Sequence, residues 1–392
     1  MKSSYKIFSV FGIAVELHIT FILFFFLLLF MVVAGYGISS GILALILIIF
    51  LFGTVLAHEF AHSLVAKKQG REVSKITLLP IGGLASVDIP ENPREEFLIS
   101  FAGPLFNFVF AGILILIFAL VYPDNFGGYM SDAVNEYVQV YIYNNPSAET
   151  SILDISTIPN ALGTLIWINL VLGIFNLFLP AFPLDGGRVL RSLLAMEMDY
   201  LKATRYAIYV GQAIFGLMLF IGFIRGWIFW VFIALFLLLT APNELRIVEM
   251  RHYLRGHRSE DIAIKKFVHV NESTPVIEFL KTIAVPEQYA YPVTDSEERI
   301  IGYIDLDDFE KLDKTRIKEY TIKSILRKDF GKVNVNAPAE DILKQINRDF
   351  IFVVNEKEHV IGVVTLEHLA RIAKFKSYGY EHLKNDNPEK PT

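Results

Sequence analysis

His58, Glu59 and His62 stand in the order His-Glu-Phe-Ala-His. Two imidazoles four residues apart project from one face of a helix, near enough to grip one metal ion, and the carboxylate beside the first can act on water held by that ion. The setting sharpens this reading. Gly41 to Ala66 reads GILALILIIFLFGTVLAHEFAHSLVA, almost wholly apolar, and ionisable groups left unpaired in lipid are costly enough to mark function. Two His leave a catalytic tetrahedral zinc one protein ligand short, with a further position kept open for water. His18 is the one other His before residue 250. Asp185 is the better candidate, within Phe182-Pro183-Leu184-Asp185-Gly186-Gly187. Pro180 and Pro183 break the helix there, Gly186 and Gly187 remove bulk beside the carboxylate, and irregular backbone at membrane depth lines a cavity. A second reading makes Asp185 the N-cap of an amphipathic helix over Arg188 to Met196. His18 with Glu16 reads as an interfacial structural pair.

These residues need membrane-spanning elements to hold them, and the composition supplies them. Of 392 residues, 53% are hydrophobic. Met1 to Arg258 carries 33 charged side chains in 258 residues, and Ser259 to Thr392 carries 44 in 134, so the first part reads as membrane and the second as soluble. Net charges of about −1 and −4 leave no footprint for nucleic acid. The absence of cysteine excludes disulfides, thiolate metal sites and a cysteine nucleophile. No cleavable signal is evident at the N-terminus, where the apolar run after Lys6 continues into a retained span.

Six spans are predicted: His18 to Ala34, Gly41 to Ala66, Phe97 to Tyr122, Asn160 to Leu179, Ala203 to Phe223 and Gly226 to Ala241. Lys and Arg cluster before the first span, between the second and third and after the fourth, and none occurs from Glu95 to Gly187. Both termini and the soluble tail are therefore expected in the cytoplasm of a multi-pass cell-membrane protein. His58 precedes Lys67 by nine residues, which puts it roughly 13 Å inside the membrane at about 1.5 Å per residue. Val73 to Val87 alternates and turns at Gly82-Gly83, a strand or hairpin between spans two and three. Pro123 to Pro159 reads as a partly ordered outer cap. In the tail, Ala290 to Leu312 aligns without gaps on Phe350 to Ile372 at an offset of 60, each copy reading strand, polar turn, strand, helix.

With these residues in view, the chain resembles the site-2 proteases, intramembrane zinc metalloproteases, in the form that carries a C-terminal pair of cystathionine-beta-synthase (CBS) domains. The resemblance rests on His58-Glu59-Phe60-Ala61-His62, on Gly103-Pro104-Leu105-Phe106-Asn107, on Leu184-Asp185-Gly186 and on the repeat. It implies a membrane protease domain over residues 1–256 with about six helices and a short β element. It further implies α/β CBS domains over 257–320 and 321–384, and a polar tail over 385–392. It implies zinc held by His58, His62 and Asp185, Glu59 as catalytic base, and regulated cleavage within or near a membrane-spanning helix of another protein.

Asn107 is expected either to hydrogen-bond the substrate or oxyanion, or to join two helices of the bundle, and Asn169 and Asn176 share this ambiguity. A helical substrate must unwind, and lipid offers no partners for its freed backbone groups. The hairpin around Gly82 and Gly83 either supplies them by strand addition or plugs the cytoplasmic side. In the tail, Asp308 and Thr365 match positions that contact an adenine nucleotide in CBS pairs, but Asp305 and His368 replace the partner positions. Nucleotide binding thus stands beside a folding or dimerisation module, with self-association through the pair. The competing class is a CBS-regulated ion transporter or channel, with the His pair and Asp185 lining an ion path. That class gives Glu59 no task. A membrane oxidase would need clustered histidines, and the remaining six, from His252 to His382, lie in or beside the tail.

Overall fold

The structure, a computed structural model, describes residues 4–80, 82–87, 91–137, 157–285, 288, 290–345 and 350–377. Its packing separates two units, Met1–Leu245 and Arg246–Thr392.

The membrane unit opens with a hairpin that the apolar pattern concealed. Strands β1 (Ser4–Val10) and β2 (Ile13–His18) pair antiparallel around Phe11 and Gly12, both at positive φ, as a tight two-residue turn requires. The stretch expected to lead straight into the first span is instead a strand that buries Ile13 and Val15 on alternate positions. Glu16 and His18 are structural, but each has its own partners. Glu16 accepts from Ser4 Oγ at 2.6 Å and Lys75 Nζ at 3.0 Å, while His18 caps the following helix by accepting from the Thr20 N–H.

Two further strands, β3 (Val73–Leu79) and β4 (Gly82–Val87), complete a sheet of order β1-β2-β3-β4, in which β2 and β3 run parallel. The turn expected at Gly82-Gly83 lies earlier. Leu79 pairs with Gly82 and Leu78 with Gly83, so both glycines belong to β4. Pro80, with no N–H to give the ladder, ends β3 one residue after Leu79. Gly82 sits at φ +139, where a side chain would be strained. Among the described residues, β4 is an end strand of the sheet, with no strand paired on its outer edge.

Among the described residues, five helices are long and apolar enough to cross a membrane, and a shorter one precedes them. Helix α1 (Ile19–Gly35) is that shorter first span, and Gly37, at φ +85, breaks the run before α2 (Gly37–Lys68). Then follow α3 (Pro93–Val121), α4 (Pro123–Tyr137), α5 (Ile158–Phe178), the short α6 (Asp185–Ala195), α7 (Tyr200–Arg225), α8 (Ile228–Thr240) and α9 (Pro242–Leu254). By length and composition the apolar stretch of the last two runs over Trp230–Leu254, where the sixth span was expected over Gly226 to Ala241. Of the expected outer cap, 123–137 is helical, and 138–156 lie outside the described residues. Helix α3 packs against α2, α5 and α6, which makes it the wall shared by the helices that carry His58, His62, Asn169 and Asp185.

In the second unit the repeat is visible as topology. One sheet has order β5-β6-β7 (Val270–Asn271, Ala290–Thr294, Ile300–Asp305), the first pair parallel and the second antiparallel. The other repeats it with β8 (Gly331–Asn334), β9 (Phe350–Val354) and β10 (Val360–Thr365), followed by α10 (Leu366–Ser377). The offset of 60 holds from β6 to β9 and from β7 to β10. Residues of both copies share a core, with Ala290, Ile300 and Tyr303 packed on Phe352, Val354 and Val363.

Candidate metal and catalytic site

Two elements bring the predicted trio together. His58 and His62 come from α2, and Asp185 begins α6. Asp185 Oδ2 lies 3.0 Å from His58 Nε2 and 3.2 Å from His62 Nε2, and the two Nε2 atoms are 3.1 Å apart. Both His are buried. Asp185 is not an N-cap: Leu184 holds that place, without a side-chain bond, and the Asp185 carboxylate turns to the imidazoles.

The local sequence explains how this loop can close so tightly. A Cβ on Gly186 would strike the Leu177 and Leu179 carbonyls, and one on Gly187 would strike the Ala181–Phe182 backbone. Only glycines let residues 179–184 fold back over the start of α6. Across the site, a Cβ on Gly103 of α3 would land on both imidazole rings. Gly103 thus allows α2 and α3 to approach at the metal site, a role its motif alone did not define.

Hydrogen bonds fix the tautomer of each ring. The Leu165 carbonyl can only accept, so it receives Asn169 Nδ2 at 2.9 Å and leaves Asn169 Oδ1 facing Asn107. Asn107 must then donate Nδ2 to that oxygen, at 3.0 Å, and present its own Oδ1 to His58. His58 donates from Nδ1 at 2.5 Å, which leaves the Nε2 lone pair aimed at the centre. His62 Nδ1 donates to the Ile99 carbonyl at 2.6 Å, with the same result. Two lone pairs and a carboxylate oxygen now face one another. Such acceptors repel unless a cation lies among them, and separations of 3.0–3.2 Å approach the about 3.3 Å edge of a zinc tetrahedron with bonds near 2.0–2.1 Å. The donor set fits zinc. Among the described residues, His58, His62 and Asp185 are the one cluster of metal-ligating groups.

Asn107 is fully buried and engaged at both ends, so it positions His58 across the helix bundle. Asn169 extends the same relay, whereas Asn176 bonds its own helix at the Leu172 carbonyl. No pattern in the sequence points to the Leu165 and Ile99 carbonyls, because every residue carries one. Gly83 packs its backbone on Glu59, since a Cβ there would meet the Glu59 side chain, while Gly82 faces open space. The edge strand β4 and the carboxylate are therefore neighbours.

In the tail the positions expected to contact a nucleotide, Asp308 and Thr365, are already engaged. Asp308 Oδ1 accepts from Arg327 Nε at 2.9 Å and Nη2 at 2.6 Å, and its Oδ2 accepts from the Asp305 N–H. Thr365 Oγ1 accepts from the His368 N–H at 3.2 Å, and the His368 ring meets the Ile262 carbonyl at 3.0 Å.

Residues 46–221 match Peptidase family M50, and 260–313 and 322–374 each match the CBS domain. A zinc metalloprotease of Methanocaldococcus jannaschii is 33% identical over 374 residues, covering 95% of this chain and 96% of that protein. Stage IV sporulation protein FB of Bacillus subtilis is 25% identical over 178 residues, covering 44% of this chain and 48% of its own. Among solved structures, a site-2 protease from Methanocaldococcus jannaschii shares 34% identity, covers 62% of this chain and 95% of its own, and superposes with a TM-score of 0.43.

Proposed function

The chain belongs to peptidase family M50, the site-2 proteases, as a membrane metalloprotease with a tandem CBS pair, and on that premise we propose that it cleaves a membrane-spanning segment of another protein, using zinc held by His58, His62 and Asp185. The observation that carries this reading is the convergence of two tautomer-locked imidazoles and one carboxylate on a single point. Zinc, when bound, supplies Lewis-acid chemistry that activates water and offsets charge on the scissile carbonyl. Glu59, one residue from His58, takes the proton of the attacking water and returns it to the leaving amine. Asn107 and the Ile99 carbonyl keep both imidazoles turned inward while this happens.

The substrate reading rests on β4. An unwound segment needs hydrogen-bond partners, and the unpaired edge of β4 offers a row of them beside Glu59. Placing Pro at Leu84 or Ser86 removes a backbone N–H from β4 at each position, and should depress turnover without releasing zinc; unchanged turnover for both would exclude strand addition. With basic residues clustered on one side, the active-site end of α2, the CBS pair and both termini face the cytoplasm.

Adenine nucleotide at the CBS pair is the regulatory part of this reading. A ribose that takes Asp308 meets a carboxylate already paired with Arg327, so binding and that ion pair are coupled. Calorimetry of the full-length enzyme with ATP or AMP tests it. Heat of binding that disappears in Asp308→Asn supports the site, and no heat with either nucleotide leaves the pair as a folding or self-association module.

The direct test of the catalytic reading is Glu59→Gln. It should retain zinc and fail to cut a membrane-spanning model substrate, and equal cutting by the variant would refute the assignment.

A further inference from the structure

Arg191 lies six residues beyond Asp185 on α6, and it is buried to 1% exposure in a unit where a buried charge is expensive. Its surroundings are specific. Arg191 Nε donates to Glu96 Oε1 at 2.9 Å, Nη2 reaches the same oxygen, and Nη2 also lies 3.2 Å from Glu244 Oε1. The Glu96 side chain is fully buried, and its second oxygen accepts from Tyr200 Oη at 2.9 Å. The guanidinium covers the rings of Phe182, at 4.8 Å, and Tyr200, at 5.0 Å. One cation therefore gathers the starts of α3, α7 and α9 together with the loop that leads into Asp185.

The two ends of this cluster lie beside groups of the metal site along the chain. Phe182 is three residues before Asp185. Glu96 is three residues before Ile99, on the helix turn whose carbonyl orients His62. The salt bridge between Arg191 and Glu96 thus ties the element carrying the carboxylate ligand to the element that aims one of the imidazoles. A buried ion pair is seldom retained for stability alone, since well-packed apolar residues serve as well. None of these four polar side chains reaches the site itself, and hydrolysis gives them no step.

We infer that Arg191 is a positioning residue for the metal centre, clamping α6 to α3 through Glu96 so that Asp185 and His62 stay at bonding separation. The inference rests on the reading of Asp185 as the third ligand. Glu244 and Tyr200 share the clamp as lesser members, each holding one side of the same pair.

The experiment is zinc affinity of the full-length enzyme in detergent, measured by competition with a chromophoric chelator, beside thermal midpoint. Arg191→Met should weaken zinc by about tenfold, the lower end of the range for groups behind the ligands. Arg191→Lys, able to meet Glu96 but not to span both carboxylates, should fall between. The control is Phe118→Ala, a buried ring in a separate apolar cluster, with conditions chosen so that its thermal loss matches. Weakening in Arg191→Met well beyond this control supports the inference, and equal affinities overturn it. Should Arg191→Met fail to fold, Tyr200→Phe and Glu244→Gln decide by the same criterion with smaller effects. Asp185→Ala separates the two readings. Zinc lost in Asp185→Ala but unchanged in the clamp variants ends this inference alone, whereas zinc unchanged in Asp185→Ala ends the ligand assignment first.

Discussion

The candidate metal site of the membrane unit and the surroundings of Asp308 in the tail are both built from a carboxylate and its neighbours, yet they are balanced in opposite ways. Around Asp185, every partner within reach is an acceptor: two Nε2 lone pairs whose rings have already spent their protons on Asn107 and Ile99. Around Asp308, the partners are donors: the Arg327 guanidinium and the Asp305 N–H. The first arrangement calls for a cation, while the second already holds one in the Arg327 guanidinium. A candidate site is thus judged by what its neighbours leave unsatisfied more than by the identity of its acidic residue.

The comparison breaks most visibly at Glu59. Glu59→Gln should lower turnover by roughly 10²–10⁴-fold, as expected for loss of general acid–base catalysis, with zinc content unchanged when measured by atomic absorption. Next in size is Asn107→Leu, which removes the bond that fixes the His58 tautomer. Zinc affinity should fall by roughly 10–100-fold by chelator competition. Gly83→Ala should cost less, on the order of tenfold in turnover with zinc affinity intact, because the new methyl displaces the base and leaves the ligands alone.

The tail supplies the smallest effects. Arg327→Met should lower its stability by about 1 kcal/mol, since the guanidinium is partly exposed and screened; denaturant titration of the tail's transition reads it. Burial holds the His368 imidazole below its usual pKa, against a smaller opposing effect from the Ile262 carbonyl. The unfolded chain therefore binds the proton more readily than the fold. Stability from this group is full above the ordinary value of 6.5 and is lost as pH falls below it. The tail's thermal midpoint should drop between pH 7.5 and 5.5, by less in His368→Gln, and an identical slope in the two would remove His368 as the cause.

Much of this was legible in the residues. His58, Glu59 and His62 announced themselves by spacing, Asp185 by the prolines and glycines around it, the spans by length and the tail by its 60-residue repeat. What escaped has physical reasons. The β1–β2 hairpin is as apolar as the span it precedes, so only Phe11-Gly12 marked its turn. The β3–β4 turn was misplaced because two glycines outweighed Pro80, whose missing N–H decides where the ladder ends. Backbone carbonyls carry no sequence signal, so the groups that fix the imidazoles were invisible. Glu96 and Arg191 are 95 residues apart, and each alone reads as an ordinary charge near a membrane surface.

The account turns on one ion held by three side chains, and the most direct measurement is zinc per chain in purified wild-type and Asp185→Ala protein after dialysis against a competing chelator. One zinc per wild-type chain is expected, and little or none in the variant. Full retention of zinc by Asp185→Ala, or its absence from active wild-type enzyme, would contradict it.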